Sequence, residues 1–143
     1  MGSPVARLKL PAKVQSLQSF HQFVRDGAEA AGLESEEMGK LELVLEEILV
    51  NVARYAYDDG AGEVEVAYST DGRALLIEVI DRGRGFNPLE AAPPDLSLGL
   101  AERPIGGLGV VLVKQIVGSL HYRRENGQNT VSFRFPAERP AGT

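Results

Sequence analysis

The amino-acid sequence predicts an α/β fold of the two-layer α+β sandwich type, with helices packed on one face of a mixed, mostly antiparallel sheet. Three observations predict it. Alternating apolar and polar segments stand near both ends and in the middle of the chain. Two longer segments between them repeat apolar residues every three or four positions. Asp-Gly and Asn-Gly turns join the later alternating segments in pairs. At 143 residues and 43% hydrophobic, the chain is expected to form one domain with its own core.

The first element is "ARLKLP", a half-buried strand with Ala6, Leu8 and Leu10 on one face and Arg7 and Lys9 on the other. Its charges suit a sheet edge. From Val14 to about Ala31, Leu17, Phe20, Val24 and Ala28 mark a helix that Gly32 ends. A second helix is expected from an N-cap at Ser35, through the acidic first turn Glu36 and Glu37, to about Tyr57, where "DDGAG" stops it. "EVEVAYS" and "ALLIEVID" then form a hairpin across "TDGR". The stretch from Asn87 to Ile105 holds four prolines and no clear period, and a loop of that length in a compact domain is usually functional or disordered. "GGLGVVLVKQIVG" has the β-branched content of a strand but the length and flanking glycines of a buried helix, and is read as helix. "SLHYRRE" and "TVSFRFP" close the fold as a hairpin across Asn126 to Asn129. The core is thus expected over residues 5–136, with 137–143 as a tail.

Composition narrows the function. There are no cysteines, so disulfides and thiolate metal sites are excluded. A net charge of −5 works against a phosphate-tracking surface, so no direct nucleic-acid contact is expected; a protein partner or a small ligand is. The chain has no signal-like apolar core and no membrane-length run, and Ala6 breaks the myristoylation pattern. A soluble, cytoplasmic protein without a membrane partner is the expectation.

Two places carry chemistry. With Met38 as the reference on the second helix, Leu41, Leu45, Ile48, Leu49, Val52 and Ala56 gather on the core face. Glu47 and Asn51 fall nearly opposite. One turn apart, they can converge on one object, whereas Glu46 points aside. Leu43, Val50 and Arg54 share their side, as on a helix that forms one wall of a cleft. The second place is "VIDRGRGFNP". Asp81, Gly83 and Gly85 there could simply end a strand, or could receive a flat hydrogen-bonding ligand.

In order, Glu47-x-x-x-Asn51, Asp81-x-Gly83-x-Gly85, the long loop, and Gly107-x-Gly109 resemble the N, G1 and G2 boxes of the GHKL ATPases, the superfamily of gyrase, histidine kinases and MutL. Within it, "LELVLEEILVNVARYAY", "DRGRGFNP" and "ERPIGGLGVVLVKQIV" are similar to the anti-sigma-factor serine kinases, the RsbW-like proteins, over about Val5 to Pro136. The resemblance implies a histidine kinase-like ATP-binding fold with residues 87–105 as a lid, and a serine/threonine protein kinase using ATP and Mg²⁺. Its implied substrate is a STAS-type anti-sigma antagonist, with a sigma factor or other regulator as alternate partner and a homodimer as the assembly.

By the same resemblance, Glu47 is the general base and Asn51 a Mg²⁺ ligand. Asp81 accepts from the adenine amino group, with Gly83 and Gly85 admitting the ring. Gly106, Gly107 and Gly109 offer backbone amides to the phosphates, and Arg103 reaches the γ-phosphate. Thr130 belongs to the nucleotide site. Two departures stand out: Tyr55 replaces a common His, and Asn129-Thr130 replaces a Gly-Thr pair. His21 and His121 lie outside the constellation and are read as surface or packing residues. A non-catalytic nucleotide-binding switch is the alternative, disfavoured because a pure binder has no need of Glu47. A histidine kinase ATPase would need a dimerisation hairpin, and a gyrase- or MutL-like ATPase a transducer domain.

Overall fold

A computed structural model describes residues 5–57, 62–85, 113–117 and 120–136. Five strands form one sheet: β1 (Ala6–Pro11), β2 (Glu63–Asp71), β3 (Ala74–Asp81), β4 (Leu120–Glu125) and β5 (Gln128–Phe135). Their spatial order is β1-β2-β3-β5-β4, and every pairing among the described residues is antiparallel. β1 is an edge strand, as its charges suggest, and Arg7 pairs with Glu65 of β2 at 3.0 Å. Strand alternation puts Leu8, Val66, Val79 and Val131 on one face, in register across four strands.

Helices α1 (Leu17–Ala31) and α2 (Ser35–Tyr55) cover that face, after a 3-10 turn at Val14–Ser16. α1 ends at Gly32, whose φ of +88° lets its N–H reach Glu29 O at 3.0 Å. α2 begins one residue earlier than expected. Its N-cap is Glu34, not Ser35: Glu34 is extended, and its N–H donates to the Glu37 side chain at 3.2 Å. Phe20, Val24, Leu41, Leu45, Ile48 and Val52 from the helices meet Leu75, Ile77, Val79 and Phe133 from the sheet in one buried cluster. Residues 113–117, inside the segment read as a buried helix, are helical, with Val113 and Val117 in the same core. The expected lid over 87–105 and the tail over 137–143 lie outside the described residues.

Both hairpins turn on two residues. Gly72 at φ +64° joins β2 to β3, and Asn126 and Gly127 at φ +53° and +75° join β4 to β5. The second turn is shorter than the expected Asn126 to Asn129 connection. Gln128 and Asn129 are therefore strand residues, and the ladder sets Asn129 opposite Asp81.

Candidate functional site

α2 supplies the first wall of the site. Asn51 is fully buried at 0% exposure, Glu47 is half-buried and Glu46 is exposed. Burial of Asn51 corrects the expectation that it lies opposite the core. Val44, also fully buried, precedes it by seven residues, so the two side chains point within about 20° of each other on a helix of about 100° per residue. Met38, only half-buried, lies off the centre of the core stripe. Asn51 stands at the margin of the buried arc, with Glu47 one turn before it and a step further toward solvent.

The Glu47 carboxyl is held above the ordinary glutamate range, first because burial disfavours its charge and then because Glu46 repels it, while a hydrogen bond from Asn51 acts in the opposite direction. Its Oε1 is buried with no hydrogen-bond partner among the described residues. A buried acceptor left so costs about 1–3 kcal/mol. Folding alone gives no return for that cost, whereas an incoming donor or proton would relieve it.

The second wall is the turn after β3, residues 81–85, fastened to the end of α2. Arg84 N–H donates to Ala56 O at 2.8 Å, and Arg84 Nε to Tyr55 O at 2.7 Å. Arg82 N–H donates to Tyr57 Oη at 2.9 Å, and that hydroxyl donates to Glu63 O at 2.6 Å. With Ala56 at the turn, Asn51 stands about 7–8 Å back along the helix axis at 1.5 Å per residue. Glu47, nine residues before Ala56, stands about 13–14 Å back on the same axis, so it and Asp81 are carried by two elements that are fastened together at this joint.

Asp81, at 3% exposure, sits at the end of β3 on the helix-covered face. Burial raises its carboxyl above the ordinary aspartate range, opposed by hydrogen bonds from Asn129 and Gly83 N–H and by the charge of Arg124. Both hydrogen bonds, at 2.9 Å each, end on Oδ1. Oδ2 has no hydrogen bond among the described residues. Among the described residues, then, Oδ1 is committed to two donors and Oδ2 to none.

Gly83 is required for a reason the sequence did not suggest. A Cβ there would stand 2.1 Å from Ala56 O and 2.8 Å from Ala56 Cβ, so the bare backbone is what lets the turn seat against α2. A Cβ on Gly85 would stand 3.1 Å from the Arg124 side chain. Thr130, expected in the site, is one residue beyond Asn129 and pairs with Ile80, so strand alternation turns its side chain to the face away from Asp81. Asn129 is the residue that meets Asp81. Arg103, Gly106, Gly107 and Gly109 lie outside the described residues.

The sequence marks Asn129 only as a departure from a Gly-Thr pair and gives no role to Tyr122, Arg124 or Tyr57. The Asn-Gly turn held the signal for the first three: read as a two-residue hairpin turn, it starts β5 at Gln128 and brings Asn129 and its neighbours on β4 into register with Asp81. His121 is exposed and His21 half-buried, both outside the site. Among the described residues no three His, Cys, Asp or Glu side chains group as a metal site, and no helix is long and apolar enough to cross a membrane.

These features define a class: a two-layer α/β sandwich whose buried polar residues gather where a core helix ends against the sheet. Residues 10–135 match the family described as the histidine kinase-like ATPase domain, and the chain belongs to that family. It is 21% identical over 132 residues to the serine-protein kinase RsbW of Bacillus mycoides (strain KBAB4), covering 90% of this chain and 82% of that one. Over the same span it is 22% identical to the serine-protein kinase RsbW of Bacillus anthracis. Among solved structures, that of the RsbU and RsbW domains of Rv1364c from Mycobacterium tuberculosis shares the fold, with a TM-score of 0.63 at 18% identity. The likeness covers 97% of this chain, which spans only 34% of that one.

Proposed function

We propose that this chain, acting as one domain in the cytoplasm, is an ATP-binding serine/threonine protein kinase and anti-sigma-factor-like regulator. It would transfer the γ-phosphate of ATP to a Ser or Thr of a STAS-type anti-sigma antagonist, and hold a sigma factor or another regulator when not so engaged. The observation that carries this is the buried Oε1 of Glu47, without a hydrogen-bond partner among the described residues, on a helix fastened to the Asp81 turn. Family membership and the kinase relatives at 20–22% identity support it.

In this reading Asp81 Oδ2 accepts from the adenine amino group, and Asn51 offers its amide oxygen to Mg²⁺. Glu47 takes the proton of the acceptor hydroxyl, its raised pKa bringing it closer to the operating pH of a base. A hard cation that keeps waters and phosphate oxygens needs few protein ligands, so a buried amide beside a carboxylate fits it. When bound, Mg²⁺ neutralises charge on the phosphates. Arg103 and the amides of Gly106, Gly107 and Gly109 complete the phosphate contacts.

The test is to capture a STAS-domain partner from native lysate in the presence of ATP, then follow phosphate incorporation into it by mass spectrometry for the parent, Glu47→Ala, Asn51→Ala and Glu46→Ala. Glu47→Ala should abolish transfer yet bind nucleotide; Asn51→Ala should weaken Mg·ATP and slow transfer together; Glu46→Ala should do little. A parent that binds ATP and the partner but transfers nothing refutes the kinase. An active Glu47→Ala beside a dead Glu46→Ala refutes the assignment of the base.

A further inference from the structure

Asn129 is 1% exposed and uses all four hydrogen-bonding positions of its amide. Nδ2 donates to Asp81 Oδ1 at 2.9 Å and to Arg84 O at 2.8 Å. Oδ1 accepts from Tyr122 Oη at 2.6 Å and from Arg124 Nη1 at 3.0 Å. Arg124 Nη1 also reaches Gly83 O at 3.1 Å. Only one orientation of the amide is chemically allowed. Turned over, it would set an oxygen against the Asp81 carboxylate and the Arg84 carbonyl, and an N–H₂ against a guanidinium.

We propose that Asn129 is the positioning residue that sets purine selectivity in this site: it ties down Oδ1 of Asp81, leaves Oδ2 to face the base, and so favours a 6-amino over a 6-oxo purine. This rests on the ATP-binding reading above and adds to it how the acceptor is oriented. The geometry alone fixes which oxygen has no hydrogen bond among the described residues. The chemistry then follows from the state of the carboxylate. An ionised carboxylate is an acceptor only, suited to an amino group and unsuited to a carbonyl.

Asn129 also supports that ionised state. Among the influences that favour the charged form of Asp81 against burial, its hydrogen bond is the largest, ahead of Gly83 N–H and Arg124. Arg124 faces the group from β4, and the Tyr57 hydroxyl, which feels the Asp81 charge, from beyond α2. With the amide gone, the carboxyl can turn and hold its proton more readily, and a protonated carboxyl can donate to a 6-oxo group. Discrimination would collapse from both sides.

The discriminating variant is Asn129→Asp. It is isosteric and keeps an acceptor for Tyr122 and Arg124, but it loses both donors and sets a second carboxylate against Asp81. Calorimetric titration of ATP and of ITP, at fixed Mg²⁺ and neutral pH, with thermal unfolding as the control for folding, reads the effect. The parent should prefer ATP by about tenfold or more, the consequence of about 1.4 kcal/mol. In Asn129→Asp, ATP should weaken by about tenfold while ITP moves by less than about threefold.

Equal loss of both nucleotides would show a structural role and overturn the proposal, as would an unchanged ratio. If Asn129→Asp fails to fold, Asn129→Ala reads the same ratio, and a ratio equal to the parent's overturns the proposal. A parent that binds neither nucleotide overturns the ATP reading and this inference together. A parent that prefers ATP beside a variant that prefers it equally overturns this inference alone.

Discussion

Replacing Gly83 with alanine separates two explanations of that residue. The new Cβ would stand 2.1 Å from Ala56 O, 2.6 Å from its carbonyl carbon and 2.8 Å from its Cβ. Non-bonded carbon and oxygen need roughly 3.2 Å or more, so the turn must retreat from α2 by about 1 Å, because backbone rather than a flexible side chain is in the way. That retreat stretches the Arg84 N–H bond to Ala56 O from 2.8 Å and the Arg84 Nε bond to Tyr55 O from 2.7 Å. Two hydrogen bonds at about 1 kcal/mol each, with an overpacking cost of about 1–3 kcal/mol, give a loss of about 3–5 kcal/mol. Urea unfolding would measure it. ATP affinity should fall as well, since Gly83 N–H holds Asp81 Oδ1. A variant destabilised by less than about 1 kcal/mol would refute the packing argument. If it also lost ATP binding, Gly83 would serve only to admit the purine ring.

Two further predictions concern the carboxylates. If Glu47 is the base, transfer should fall as the pH drops, with a midpoint above the ordinary glutamate value of 4.5; Asn51→Ala should push that midpoint higher still, because the bond from Asn51 favours the charged form. A pH–rate profile with its acid limb at or below 4.5 would count against Glu47. Asp81→Asn should bind ATP more weakly by about 1–3 kcal/mol by calorimetry, since a donor could replace Oδ2 at the base, while its remaining oxygen can still accept from Gly83 and Asn129. Its stability should not fall at neutral pH. The folded pKa of Asp81 is raised, so its contribution is most favourable at low pH and declines as pH rises from 3.8 through the raised folded value. A marked loss of thermal stability would show that the carboxylate is a structural member of the joint.

Much of the fold was legible because it is local. The period of α1, the αL glycine that ends it and the Asp-Gly and Asn-Gly turns each act within a few residues. What escaped is non-local. No local pattern says that β5 inserts between β3 and β4, and so none says that Asn129 faces Asp81. The turn from Asn126 is two residues shorter than the expected one, and the polar Gln128 and Asn129 do not announce themselves as strand. The resemblance then drew attention to Thr130, which strand alternation turns to the other face. On α2 the spacing of Glu47 and Asn51 was read correctly, but the burial of Asn51 was not, because the stripe was centred on half-buried Met38. Gly83 was legible as a special position and illegible as a contact, since Ala56 approaches it from another element.

The two carboxylates show how one joint can hold two different chemistries. Burial raises the pKa of both. Asp81 is answered by three groups that favour its charge: an amide, a backbone N–H and a guanidinium. Glu47 is answered by Asn51 alone, with Glu46 working against it. A group that must recognise a donor has to stay ionised, whereas a group that must take a proton gains from being held closer to the working pH. Both carboxyls are raised; what differs is that three groups favour the charge of Asp81 and only Asn51 favours that of Glu47, the contrast on which the proposed roles rest. It follows that the functions are separable by mutation: changes around Asn129 should alter which purine is bound and leave the acid limb of transfer in place, and changes at Asn51 should move that limb without altering the choice of base. A joint in which every substitution moved both properties together would instead be one undivided electrostatic unit, and the division of labour between Asp81 and Glu47 would be lost.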